Sequence, residues 1–221
     1  MYFIFFPIVF VLCVFILYIL SRQDFVLLRQ NISLAQIFDS AILGLISALV
    51  TGRVFHIINN FNFELLHIIK FFHLLKFPGI STLGFFLGGG IALALLFRKK
   101  KGLSRIYDIF TIAFFPAYSF SVITKHYPPA FFLLPFILLF LSIIIFVFFI
   151  RSHNRYILRD GSIGIIFILI LCFENFFLQS ITSGRVNLFL DYSFYQLLSV
   201  PIALISLILL FLNQKRIYKS K

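Results

Sequence analysis

Arg53 lies in the middle of an apolar run, LGLISALVTGRVFHII, where an isolated charge at bilayer depth costs about 2.5–3.5 kcal/mol on insertion scales. A guanidinium there is accommodated in one of two ways. Either its stem snorkels to the outer headgroups, or its planar fork faces a cavity and holds a phosphate or carboxylate. Asp39 is fourteen residues back along the same run and Glu64 lies beyond it, so neither is an obvious helical partner. Arg53 is therefore expected to face a cavity and an anionic headgroup. His56 stands about one turn further on, placed either as a base or as a polar anchor at the membrane edge. In a second apolar run, LILCFENFFLQS, Glu174 and Asn175 are central and Gln179 follows one turn later. Polar residues at that depth face a bundle interior, as hydrogen bonds between helices or, for Glu174, as a group that moves a proton.

Other residues invite chemistry and have plainer readings. Gly84, Gly88, Gly89 and Gly90 allow close approach of a neighbouring backbone or of a lipid headgroup. Asp39 and Asp108 sit at the expected starts of the second and fourth helices, where a carboxylate suits the positive dipole end. The segment FNFELLHIIKFFHLLKF, Phe61 to Phe77, carries Glu64, His67, Lys70, His73 and Lys76 at every third position. That spacing drifts around a helix, so the segment reads as an interfacial helix at the outer surface. Its two histidines lack the four-residue spacing of a helical metal pair, and no metal site is expected. Cys13 and Cys172 are the only cysteines, both in apolar runs, and read as packing residues.

The elements that position these residues are read from composition. Of 221 residues 62% are hydrophobic and only 12% charged, and the mean hydropathy is +1.09, so a water-soluble surface cannot be built. At roughly 20 residues per crossing the length holds about seven crossings in one domain, 1–221. Apolar runs at about 2–20, 37–58, 83–97, 107–124, 129–150, 162–180 and 192–212 supply them. The first lacks a basic leading segment and is expected to stay as an anchor. The 34 phenylalanines read as filling of lipid-facing positions. Fourteen of the 19 basic residues, among them Arg22, Arg98, Arg105, Arg151 and Lys215, fall in the first, third and fifth loops and the tail. The positive-inside rule then puts those loops and the C-terminus in the cytoplasm and the N-terminus outside. The same placement beside membrane ends accounts for the net charge of +12 without nucleic acid.

Taken in order, the landmarks resemble the bacterial prolipoprotein diacylglyceryl transferase family, membrane enzymes that move diacylglyceryl from phosphatidylglycerol onto a lipoprotein-precursor cysteine. ISLAQIFDSAILGLISALVTGRVFHIINN is similar to the family's second helix, with Gly52 and Arg53 in the places of its Gly-Arg. FPGISTLGFFLGGGIALALLFRKKK resembles the Gly-rich third helix and its basic exit. YQLLSVPIALISLILL resembles the closing helix, with Gln196, Leu197, Leu198, Ser199 and Pro201 in register, and His126 with a nearby proline resembles the start of another.

The resemblance implies an all-α membrane protein of the bacterial cytoplasmic membrane, with no cofactor. Its implied partners are an anionic, phosphatidylglycerol-like lipid and lipoprotein-precursor signal peptides. Gly52, Arg53, Asn175 and Gln196 would hold substrate, and His56 and Glu174 would be the catalytic candidates. Three departures weaken the chemistry. Leu83 stands where the family has a histidine before a Gly-Gly. PAYSFSVITKH, from Pro116 to His126, is too short for the Gly-Arg-Ile-Gly-Asn-Phe signature. Asn175 and Gln179 replace an arginine and a later glutamate. The reading is thus a divergent family member with an incomplete catalytic pattern, set against a non-catalytic lipid-binding or assembly protein on the same fold. A small transporter ranks last, because no internal repeat is visible.

Overall fold

The structure, a computed structural model, describes residues 2–22, 24–60, 71, 79–100, 102–123, 129–182 and 194–218. Eight α-helices and no strand occur among them. These are α1 (Tyr2–Arg22), α2 (Phe25–Arg29), α3 (Leu34–Asn60), α4 (Thr82–Phe97), α5 (Leu103–Ile123), α6 (Leu134–Asn154), α7 (Ser162–Thr182) and α8 (Phe194–Tyr218). The expected all-α class holds, and each apolar run coincides with one long helix. Among the described residues Leu34–Ile58, Leu134–Asn154 and Gln196–Lys215 are long and apolar enough to cross a bilayer, and Ile8–Arg22, Thr82–Phe97 and Ser162–Phe177 are shorter apolar stretches. Except for Phe71, the segment from Phe61 to Phe77 lies outside the described residues.

Local chemistry sets the ends. Ser33 and Gln36 form a capping box before α3, with Gln36 N donating to Ser33 Oγ at 3.2 Å and Ser33 N to Gln36 Oε1 at 3.3 Å. Asp24 caps the short α2 by accepting from Val26 N and Leu27 N, and Ser81 caps α4 by accepting from Gly84 N. A 3₁₀ turn at Pro129–Phe131 delays α6, which starts at Leu134 with Pro135 in its first turn. The two aspartates expected to cap their own helices do not. α3 begins at Leu34 and α5 at Leu103, so Asp39 and Asp108 lie beyond the first turns. Asp39 is exposed, whereas Asp108 reaches across to α7.

α5 is the hub, packing against α1, α2, α4, α6 and α7, while α3 pairs with α4 and α8 with α7. Buried Leu17, Leu27, Ile37, Leu93, Ile106 and Ile109 form one apolar cluster, and Ile112, Phe115, Phe149, Ile163, Phe167 and Leu171 another. Not every phenylalanine faces lipid: Phe86, Phe115, Phe149 and Phe167 meet edge to face with Tyr118 among them, Phe86 and Phe167 at 4.8 Å between centroids. α6 has the opposite character, with Phe136, Ile137, Phe140, Ile144 and Phe148 all exposed on an apolar face.

The α3–α4 contact is a seam of small residues. Ser47 Oγ donates to Gly88 O and Thr51 Oγ1 to Gly84 O, both at 3.0 Å. A Cβ at Gly84 would lie 2.7 Å from Phe55 Cβ, and one at Gly88 would overlap Thr51 Oγ1. Close helix approach, the plainer of the two readings of these glycines, accounts for both positions. Gly89 and Gly90 turn elsewhere, toward a cavity.

Candidate functional site

The C-terminal end of α3 grips the turn that enters α4. Ser81 N donates to Gly52 O at 2.9 Å, and Arg53 donates through a terminal guanidinium nitrogen to Gly79 O at 2.7 Å. Gly79 has φ +138, and a Cβ there would overlap the His56 ring, so only glycine suits the position. Gly52 meets the same turn, since its own Cβ would lie 2.7 Å from Ile80 Cγ2. Gly52, Arg53 and His56 are thereby brought together around Gly79–Ser81. Arg53 is only 1% exposed, so it is turned into the protein and does not snorkel into lipid-facing surface.

The second group forms where α7 meets the start of α8. Glu174, Asn175 and Gln196 are all buried. Asn175 Nδ2 donates to Leu171 O within its own helix at 2.8 Å, and Gln196 Nε2 crosses to Phe176 O at 3.1 Å. Ser199 Oγ, one turn on, donates to Gln196 O. Gln196 thus ties α8 to α7, and both amides find partners that lipid would not supply. For Gln179 the helical backbone is described and the side chain is not.

Between α3–α4 and α5–α7 lies an apolar cavity of about 470 Å³, walled by Gly44, Leu83, Phe86, Gly90, Tyr107 and Phe167 among others. Leu83 is buried in this wall, so the position where the family resemblance expects an imidazole presents only hydrocarbon. Tyr107 donates its hydroxyl to Gly90 O, and Thr111 and Ser104 add hydroxyls toward the far end. Arg53 is not among the lining residues. Pro116 to Ile123, the first part of the interval that is too short for the family signature, continues α5 as helix. It contributes Tyr118 to the aromatic cluster.

Sequence reasoning missed a charged cluster at the other end of the bundle. Arg105 Nε donates to Asp24 Oδ2 at 2.7 Å, its NH1 to Asp160 Oδ1 at 3.2 Å and its NH2 to His153 O at 3.4 Å. His153 Nε2 lies 3.5 Å from the same Asp24 oxygen, and the Tyr156 ring covers the guanidinium at 4.6 Å. Burial by itself raises the Asp24 carboxyl, but the hydrogen bonds from His153 and Arg105 and the charge of Arg105 outweigh it and hold it at about 2. Nearby, Asp108 accepts from Gly161 N at 2.7 Å and Gly164 N at 2.9 Å, capping α7 from a neighbouring helix. In the sequence Arg105 reads only as one of the basic loop residues. The available signal was scarcity: with seven acidic residues in the chain, each acid beside a basic loop is a candidate partner.

No curated protein and no solved structure matches the chain. A model of the family described as prolipoprotein diacylglyceryl transferase matches residues 1–124, from α1 to the end of α5, which takes in the Gly52–Arg53 pair, the glycine seam and Leu83. The correspondences at His126 and at Gln196–Pro201 lie beyond the matched residues. With more than half of its length matched, this membrane protein belongs to the prolipoprotein diacylglyceryl transferase family.

Proposed function

We propose that the chain binds a phosphatidylglycerol-like lipid in the bacterial cytoplasmic membrane, with seven crossings and the tail inside, and carries an incomplete form of the family's transfer machinery. The family reaction requires a precursor cysteine to lose its proton. The thiolate sulfur then bonds to the glycerol carbon of the diacylglyceryl group while the carbon–oxygen bond to phosphate breaks and glycerol phosphate departs. Fixed positive charge must steady that leaving group, and a base must take the thiol proton. The observation that carries the proposal is Leu83, buried in the cavity wall at the place of the family's histidine. Leucine takes no proton.

Arg53 is the best-placed cation for a headgroup, inside the protein and against Gly79. His56 beside it and the buried Glu174 are the remaining candidates for proton transfer. Gly52, Asn175 and Gln196 would then shape the substrate site from α3, α7 and α8. That the first, third and fifth loop regions and the start of the tail share one side, as this orientation requires, is supported by the charged cluster, whose hydrogen bonds join residues of all four. The wholly hydrocarbon surface that Leu83 gives its part of the cavity favours a second reading, a lipid-binding or assembly protein without transfer. Complementation of cells depleted of their own transferase, with a mass-shifted lipoprotein as readout, separates the two. Weak modification supports a hindered enzyme, none supports the binding protein, and robust modification overturns the incomplete-machinery reading.

A further inference from the structure

The connection from α6 to α7 crosses the end of the cavity opposite Leu83. Ser104 and Gly161 both line the cavity there, and a Cβ on Gly161 would lie 3.1 Å from Ser104 Cβ, so α5 and the start of α7 nearly touch. Gly161 sits at φ +90, which only glycine adopts without strain. The neighbours of these two residues make the fastening: Arg105 to Asp160 at 3.2 Å, and Asp108 to the backbone N–H groups of Gly161 and Gly164. α8 holds the outer side of the same connection. Asn213 Nδ2 donates to Asp160 O at 3.3 Å and to Ser162 Oγ at 2.9 Å, and Arg159 NH1 donates to Asn213 O at 3.1 Å.

The strengths of these ties differ. Asp24 anchors Arg105 in a buried pair, with both side chains almost fully covered. The Asp160 side chain is 36% exposed, so of the two carboxylate contacts of Arg105 water and salt reach this one. A buried charge pair is screened little, whereas a partly exposed one weakens as ionic strength rises. Arg105 is therefore fixed in place and Asp160 is the end that can let go.

We propose that Arg159–Gly161 is a strap closing the tail-side end of the apolar cavity, with Arg105–Asp160 as its latch: released, it opens the cavity to the aqueous phase on that side. Thr111 lies deeper along the cavity wall and is partly buried, so it reports the opening. That the tail side is the cytoplasmic one rests on the orientation proposed above, and the experiment separates the two statements. In full-length protein carrying Cys13→Ala and Cys172→Ala, Thr111→Cys is exposed to a charged, membrane-impermeant methanethiosulfonate in inside-out and in right-side-out vesicles.

Labelling is expected to be slow in the parent and faster by about fivefold or more with Asp160→Asn, from the tail side only. Asp160→Glu, which keeps the carboxylate, should remain slow, and raising salt should speed the parent while leaving Asp160→Asn unchanged. Acceleration in right-side-out vesicles alone keeps the strap and overturns the orientation. Equal rates in parent and Asp160→Asn overturn the strap. Should Asp160→Asn fail to fold, the salt titration of the parent decides, and a rate indifferent to salt overturns the proposal equally.

Discussion

Arg105 Nε and Asp24 Oδ2 meet at 2.7 Å across the gap between the start of α5 and the linker before α2, and both side chains are buried. The pair has a measurable acid signature. The Asp24 carboxyl titrates at about 2 instead of 3.8, so its folded pKa lies below its unfolded one. Its contribution is fully present above about pH 4 and is lost as pH falls toward 2, amounting to about 2 kcal/mol. Thermal unfolding in detergent should show a melting temperature that drops across this window. Asp24→Asn keeps an N-cap oxygen for Val26 and Leu27 but leaves Arg105 short of its buried partner, a loss of about 3–5 kcal/mol at neutral pH. Its acid limb should be flatter than the parent's. An unchanged limb would show that other carboxylates govern acid stability.

The glycine seam makes a sharper contrast. Gly84→Ala puts a methyl group 2.7 Å from Phe55 Cβ and 3.0 Å from Thr51 O, and because one obstacle is backbone, α3 and α4 must separate. The expected cost is about 1–3 kcal/mol. Gly89→Ala meets only Ala48 Cβ at 3.7 Å and Gly44 O at 3.8 Å, which is ordinary contact, and should be nearly neutral. Melting temperatures of the two variants test this directly, and equal losses would mean that the seam does not govern α3–α4 packing.

Topology makes a third prediction. A reporter fused after Leu212 should be active in its cytoplasmic form, and one fused before Tyr2 in its periplasmic form, since the basic loops lie with the tail. A C-terminal fusion active only in the periplasm would reverse the orientation while leaving the helices in place.

These expectations differ in origin. The helices were legible because lipid solvent forces long apolar runs, and Leu34–Asn60 and Ser162–Thr182 begin and end within a few residues of the runs that forecast them. The start of α6 was misplaced by five residues because Pro129 opens the apolar run in a 3₁₀ turn, ahead of the α-helix. Partnerships were less legible. Asp108 looked like a cap for its own helix and caps α7, and Arg105 looked like a topological charge and organises four chain segments. Contacts separated by 53 and 81 residues leave no periodic trace in one sequence. Arg53 was conspicuous for the opposite reason, because a lone cation in hydrocarbon is costly wherever it occurs.

The last prediction concerns transfer itself. Expressed alone in cells depleted of their own transferase, the chain should modify a precursor cysteine far more slowly than an intact family member. Leu83 offers no proton acceptor to the cavity, the stretch from Pro116 to Ile123 is plain helix with no arginine or asparagine, and Asn175 spends an amide N–H on Leu171 O where the family resemblance expects a charge. If two of these departures act on the barrier, and each costs about 10²–10³ in rate, the combined deficit is about 10⁴–10⁶. Groups that act as one unit lose activity together, so the deficit need not reach the full product. Leu83→His tests the argument at its centre: an imidazole in an apolar wall costs about 1–3 kcal/mol of stability without a partner, and by itself it should not restore transfer. Complementation restored by Leu83→His alone would mean that the other two departures carry no weight. Robust modification by the parent would mean that the site has been rebuilt around Arg53, His56 and Glu174, and substitution of each of those residues would then show which of them took over the proton.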